Sequence, residues 1–387
     1  MSDKKRVTIL GATGSVGQST VDLIRRNRDQ FEIGALTANS NVEALASLAR
    51  EFSPQVVAIA DSSRYGALCD ALAGTGISVL CGQEGIVEAS ALPVDWTMAA
   101  IVGAAGLQPT MTAVQQGKTV AFANKECLVC AGDLMMADIR KYGTTFLPVD
   151  SEHNAIFQVF ENTQREKIER LVLTGSGGPF RTVNREVMAS ATRAQALAHP
   201  NWSMGAKISI DSATMMNKGL EFIEACYLFD MPAEKIDILV HPQSVIHSMV
   251  EYADGSILAQ LGSPDMRTPI AYCLGWPDRM DAPVEKLDFV KLSRMDFEAP
   301  DYKKFPALRL AREAHAAGMS ATVTLNAANE IAVAAFLDDR IRFLDITNIV
   351  EDCLNHQEML PISSVDDVIA LDGIVRRLAS RKLDEMS

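Results

Sequence analysis

The sequence predicts an α/β protein with an N-terminal doubly wound parallel sheet, an α+β domain after it and a helical bundle at the C-terminal end. Three observations predict it. From Arg6 to about residue 150, the short apolar runs VTIL, FEIGALT, QVVAIA, ISVL, TMAAIV, TVAFA and TTFLPV alternate with amphipathic stretches of helical length. Strands covered on both faces by crossover helices have this pattern. After Ser151 the rhythm becomes mixed: a helix, the strand RLVLTG, a Gly-rich loop, a long helical stretch through KGLEFIEACYLFD, then KIDILV, SVIHSMVEYA and GSILAQLG as strands of a mixed or antiparallel sheet. From about Phe305 the periodicity is helical alone, clearest in LRLAREAHAAG and AANEIAVAAFL. The expected domains are 1–150, 151–285 and 305–387. The Pro-bearing WPDRMDAPVEKLDF leads into a connector over 286–304.

A chain of 387 residues exceeds one ordinary core, so division into domains is expected. Its 48% hydrophobic content contains no run of about 18 uninterrupted apolar residues, which argues against a membrane span. The start MSDKKRVTIL enters a strand almost at once, so no leader is expected and the cytoplasm is the expected compartment. Seven scattered cysteines argue against a disulfide framework, and the C-x-x-C of Cys127 and Cys130 sits inside an apparent helix, where it reads as core. A net charge of −13 disfavours nucleic acid or an anionic membrane as partner. An anionic substrate must therefore meet a local cluster of donors.

Directly after the first strand comes GATGSVGQS, with Gly11, Gly14 and Gly17 at three-residue spacing and a helix opening at about Ser15. Bare amides at a helix N-terminus hold a pyrophosphate, which makes this a dinucleotide turn of the Rossmann-like kind. After the second strand, TANSN carries no acidic residue for a free ribose 2′-hydroxyl. Asn39, Ser40 and Asn41 can donate to a 2′-phosphate, or simply cap the next helix. The NKE at the end of TVAFA places Asn124 as a cofactor contact and Lys125 as a substrate or proton-transfer group, or as a helix start with an exposed lysine.

VDSEHNAIF offers Asp150 and Glu152 two residues apart. An extended backbone there would aim both carboxylates to one side, whereas a helix start would use them for its first turn. Ser151 adds a hydroxyl. In DSATMMNKGLE, helical spacing puts Asn217 and Glu221 on one face with Lys218 beside them, and Ser212 lies just before. Nothing basic lies next to the Asp150 and Glu152 pair, and with Glu221 as a third carboxylate the three would shift one another's pKa upward unless a divalent cation sat among them. Oxygen-only ligands suit Mg²⁺ or Mn²⁺, with Co²⁺ a further candidate. In LTGSGGPF, Gly175, Ser176, Gly177 and Gly178 can form a nest of amides for a phosphate, joined by Ser212, Asn217 and Lys218. In AHPNWSMGAK, His199, Trp202, Met204 and Gly205 suit a loop that closes over a ligand and excludes water. His241 and His247, six residues apart on one presumed strand face, read as structural or interface groups.

Taken together, GATGSVGQS, NKE, VDSEHNAIFQ, LTGSGGPFR, HPNWSMGAKISIDSATMMNKGLE and GSPDMR resemble the 1-deoxy-D-xylulose 5-phosphate reductoisomerase family over nearly the whole chain. The resemblance implies an NADPH-binding domain, a catalytic domain with a flexible loop, a C-terminal helical bundle and a homodimer acting on a small phosphorylated sugar. Position by position it implies Thr13, Gly14, Ser15 and Val16 at the pyrophosphate, Asn39, Ser40 and Asn41 near the ribose, and Asn124, Glu126, Gly205 and Met266 as further cofactor contacts. It implies Asp150, Glu152 and Glu221 as metal ligands and Lys125 and Ser151 at the reacting end of the substrate. Ser176, His199, Ser212, Asn217 and Lys218 would hold its phosphate, under a loop bearing Trp202 and Met204. Two positions depart from the commoner family pattern: Ala12 for a frequent Ser, and Ser40 for a frequent Lys, which predicts a reduced preference for NADP. The rival readings are another NAD(P)-dependent sugar-phosphate dehydrogenase and a non-catalytic dinucleotide sensor, and both leave the carboxylates unexplained.

Overall fold

The computed structural model describes residues 4–202 and 204–386. In chain order the elements are β1 (Lys5–Leu10), α1 (Ser15–Arg26), β2 (Phe31–Ala38), α2 (Val42–Phe52), β3 (Val56–Ile59), α3 (Tyr65–Ala71), β4 (Ser78–Cys81), α4 (Gly82–Ser90), β5 (Trp96–Ala99), α5 (Leu107–Val114), β6 (Thr119–Phe122), α6 (Lys125–Tyr142) and β7 (Thr145–Pro148). Then follow α7 (Ser151–Val159), β8 (Ile168–Gly175), α8 (Arg185–Ala189), α9 (Arg193–Leu197), α10 (Ala206–Thr214), α11 (Met216–Leu228), β9 (Ile236–Val240), β10 (Ile246–Tyr252) and β11 (Ile257–Leu261). The chain ends with α12 (Arg267–Gly275), α13 (Phe289–Leu292), α14 (Ala307–Ala317), α15 (Met319–Leu337), α16 (Asp345–His356) and α17 (Val365–Met386). Two compact units emerge. The first comprises Met1–Cys127, Met135–Asp150 and Met266–Val284, and the second Leu128–Leu134, Ser151–Asp265 and Glu285–Ser387. Met1, Ser2, Asp3, Ser203 and Ser387 lie outside the described residues.

The first unit is built on a seven-stranded sheet in the order β4-β3-β2-β1-β5-β6-β7, every pair parallel. All seven apolar runs of the sequence are its strands. They read as runs because helices cover both faces: Val7, Ile9, Leu36, Val57, Ile59, Met98 and Phe122 are fully buried. Strand order reverses between β1 and β5, so the loops leaving their carboxyl ends border the crevice where such sheets take ligands. α12 belongs to this unit, where the Trp96 indole N–H donates to Cys273 O (3.0 Å) and the Lys5 ammonium to Leu274 O (3.0 Å).

The second unit carries a four-stranded sheet in the order β11-β10-β8-β9, with β8 and β9 parallel and β10 antiparallel to both β8 and β11. The mixed sheet expected from the sequence is present. α10 and α11 meet at a single residue, Met215, which is buried and left-handed (φ 64°). A non-glycine side chain adopts this conformation at a cost of roughly 1–2 kcal/mol, which surrounding packing must offset. In the helical part, α15 is buried almost all round and packs against α14, α16 and α17. No described helix is long and apolar enough to cross a membrane.

Candidate active site

The dinucleotide turn in the first unit is made of backbone. Gly11 has φ +85°, and a Cβ there would lie 2.6 Å from Ala100 O, so only glycine fits. A Cβ on Gly17 would meet Gly11 O at 2.3 Å, which is how α1 approaches β1 so closely. Gly14 differs: its nearest neighbour would be Gly11 O at 3.4 Å, and both Gly14 and Ser15 are exposed. Gly14 caps α1 without a side-chain hydrogen bond, and the first turn carries no acid. The N-terminal amides and the positive end of the dipole thus remain available to an anion. Thr13 and Val16 flank the turn half-buried.

At the end of β2, Asn39 and Ser40 are exposed, while the Asn41 carboxamide accepts from Ala44 N–H (3.0 Å) and caps α2. Asn124 caps α6 by accepting from Cys127 N–H (3.2 Å), and its amide donates to Ile101 O and to Gly103 O (3.0 Å). It therefore ties the end of β6 to the loop after β5. Glu126 is buried in the first turn of α6, and Met266 caps α12 half-buried. Lys125 is 5% exposed, and its ammonium lies 2.6 Å from Asp150 Oδ2. The alternative of an exposed lysine is excluded.

Asp150 closes the first unit, and Ser151 and Glu152 open α7 in the second. Two expectations require correction here. The segment is not extended: Asp150 sits at a bend and Glu152 in the first helical turn, with Ser151 Oγ donating to Glu152 Oε2 (2.5 Å). Nor do the carboxylates lack basic neighbours. Lys125 meets Asp150, and the Lys218 ammonium bonds both Glu152 Oε1 (2.8 Å) and Glu221 Oε2. The sequence concealed the Glu152 contact because Lys218 approaches from α11, 66 residues away. Asn217 donates to Glu221 Oε1 (2.5 Å), as the i,i+4 spacing on α11 implies. Burial pulls the Lys218 pKa down, but the charges of Glu152 and Glu221 outweigh it and hold the ammonium above its ordinary value.

In the same unit the chain turns sharply at the end of β8. Gly177 (φ +80°) and Gly178 (φ +66°) are consecutive left-handed residues, and a Cβ on Gly178 would strike Ser212 O at 2.7 Å. Ser176 Oγ accepts from Gly178 N–H (3.1 Å) and lies 3.0 Å from His199 Nε2. His199 Nδ1 accepts the N–H of Asn201 (3.2 Å) and of Trp202 (2.9 Å), which assigns the ring proton to Nε2. That N–H donates to Ser176, so the Ser176 hydroxyl proton points to another acceptor. Burial holds the His199 pKa below its ordinary value, favouring this neutral tautomer. Trp202 and Met204 are half-buried, the Trp202 ring lies 5.9 Å from that of His247, and exposed Gly205 caps α10. Ser212 lies half-buried near the end of α10, just ahead of α11, as expected.

His241 and His247 do not share a strand. His241 follows β9, where it is fully buried, contacts Asp296 O through Nδ1 (2.9 Å) and stacks on Phe297; His247 lies in β10. Three supporting groups escaped the sequence reading. His153 on α7 touches Glu221 O (2.9 Å) and Glu224 Oε2 (3.0 Å), tying together the helices that carry Glu152 and Glu221. Buried Asp211 joins Lys207 (2.8 Å) on α10 to Asn329 (2.8 Å) on α15, and Asn201 ties the loop after α9 to Pro242 O (2.6 Å). The i,i+4 spacing of Lys207 and Asp211, and the i,i+3 spacing of Glu221 and Glu224, were the available signals.

The donors suit the two groups that the sequence implies: oxygen-only carboxylates suit a hard divalent cation, and the open Gly14 turn suits a pyrophosphate.

The profile of the family described as 1-deoxy-D-xylulose 5-phosphate reductoisomerase matches residues 7–132, and two profiles for C-terminal domains of that enzyme match 146–229 and 261–378. The reductoisomerase of Rhodospirillum centenum is 60% identical over 376 residues, covering 97% of this chain and 94% of that protein. That of Zymomonas mobilis is 58% identical, covering 100% of both chains. Among solved structures, the Zymomonas mobilis enzyme in complex with NADPH superimposes with a TM-score of 0.93 at 56% identity, over 98% of this chain and 99% of that one. A reductoisomerase in complex with NADPH, fosmidomycin and magnesium does so with a TM-score of 0.95 at 44% identity, over 99% of each. With such likeness running from end to end, this chain belongs to the 1-deoxy-D-xylulose 5-phosphate reductoisomerase family.

Proposed function

We infer that this chain is an NADPH- and divalent-metal-dependent reductoisomerase that converts 1-deoxy-D-xylulose 5-phosphate to 2-C-methyl-D-erythritol 4-phosphate. The observation that carries this reading is the clustering, in one unit, of Glu152, Glu221, Asn217 and Lys218 with family membership over the whole chain. A dehydrogenase without an isomerisation step, or a silent dinucleotide sensor, has no use for that cluster.

Asp150, one residue ahead of α7, joins Glu152 and Glu221 as a metal ligand in this reading. A divalent ion held there polarises the substrate ketone as a Lewis acid. NADPH bound at the Gly14 turn supplies the hydride that reduces the rearranged branched aldehyde. The carbon skeleton rearranges by retro-aldol cleavage and re-addition. Ser176 presents its hydroxyl proton, and Gly177 its amide, to the substrate phosphate, with Ser212, Asn217 and Lys218 as further donors. His199 fixes the Ser176 rotamer while its own Nδ1 organises the backbone of Asn201 and Trp202. Trp202 and Met204 close over the bound sugar and exclude water. In this reading Lys125 and Ser151 contact the reacting end of the substrate, and Lys125 and Glu152 are the candidate side chains for moving its protons. Thr13, Ser15, Val16, Asn39, Ser40, Asn41, Asn124, Glu126, Gly205 and Met266 complete the cofactor contacts.

A cytoplasmic homodimer completes the proposal. Support for pairing comes from β11, an edge strand that exposes Ile257 and Leu258. The test is the loss of NADPH absorbance with 1-deoxy-D-xylulose 5-phosphate and Mg²⁺, repeated with a chelator and with NADH. Metal-dependent oxidation specific to this sugar phosphate is expected; oxidation indifferent to chelator would overturn the reading.

A further inference from the structure

Lys218 faces two sets of partners within the second unit. Its ammonium bonds Glu152 and Glu221, and its stem runs past Gly175, the residue that leads into the Ser176, Gly177 and Gly178 turn. A Cβ on Gly175 would lie 2.9 Å from Lys218 Cε, so the bare glycine is what leaves room for this side chain. Resting on the metal and phosphate assignments above, we propose that Lys218 is an internal counter-ion: a divalent cation displaces its ammonium from Glu152 and Glu221, and the substrate phosphate then captures it beside Ser176. A divalent ion on the same carboxylate oxygens competes with a close ammonium, because the two cations repel. A displaced, desolvated ammonium needs a new anion, and a phosphate at the turn is the anion within a side-chain length of Gly175. Metal and phosphate are thereby coupled through one side chain, and linkage makes the coupling reciprocal.

The test titrates Mn²⁺ into the full-length, metal-depleted protein by water-proton relaxation, with and without saturating ethyl phosphate, a monoester that has no carbonyl or hydroxyl to chelate the ion. Mn²⁺ affinity should rise by at least about fivefold with ethyl phosphate. Lys218→Met should bind Mn²⁺ at least as tightly as the parent does alone, with the coupling reduced to about unity. Gly175→Ala, which keeps the charge but crowds its path, should also weaken the coupling and guards against misfolding of Lys218→Met. Equal Mn²⁺ affinity with and without ethyl phosphate in the parent, or coupling retained in Lys218→Met, would overturn the relay. Mn²⁺ binding parent and Glu221→Gln alike would instead remove the metal assignment beneath it.

Discussion

The dinucleotide turn of the first unit and the carboxylate cluster of the second solve opposite charge problems with opposite materials. The turn around Gly14 uses backbone amides, which carry only partial charge and can stand exposed. The cluster uses whole charges in a buried setting, where each needs a counter-charge, and Lys218 supplies it to Glu152 and Glu221. A backbone site is therefore vulnerable to added atoms, and a side-chain site to removed charge.

Glu221→Gln should break the second site hardest. Turnover is expected to fall about a thousandfold, or about 4 kcal/mol, with Mg²⁺ affinity weakened and NADPH affinity unchanged, measured by steady-state kinetics and cofactor fluorescence. Gly17→Ala is expected to cost about 1–3 kcal/mol of stability in urea unfolding, since its Cβ would lie 2.3 Å from Gly11 O. Gly14→Ala sharpens the contrast: unfolding should barely change, while calorimetry should show NADPH binding about tenfold weaker, because the added methyl enters space left for the ligand. His199→Leu removes the donor to Ser176, and KM for the sugar phosphate should rise by about fivefold to tenfold with kcat less affected.

The pH dependence follows from the same histidine. Burial holds its folded-state pKa below the ordinary 6.5, so above that value the ring is neutral in both states and the full stability is present. As pH falls, the unfolded chain takes up the proton first and stability is lost. Urea midpoints at about pH 7.5 and about pH 5.5 should diverge more in the parent than in His199→Leu, and His315, depressed mainly by burial as well, should leave a residual slope in both. The smallest effect is expected for exposed Ser40→Lys, which should raise the NADPH-over-NADH preference by about threefold, read from the ratio of kcat/KM values.

The seven strands of the first unit were legible because burial on both faces writes itself as apolar runs, and the glycine turn because its spacing encodes steric contacts. Asn217 and Glu221 were legible for a similar reason: helical spacing alone brings them together. Lys218 bridging to Glu152, His153 reaching Glu224 and Asp211 binding Asn329 were not, because each pairs residues brought together only by tertiary packing. The bend at Asp150 was misread since a Pro-Val-Asp-Ser run permits both a strand and a helix start, and the cap geometry that decides between them is local to the fold.

Because Met215 alone separates α10 from α11, that corner has no spacer to absorb a change of length. Inserting or deleting one residue there would rotate Asn217, Lys218 and Glu221 by about 100° around the axis of α11 relative to Ser212. Indels are thus barred at this corner even where its side chains can vary.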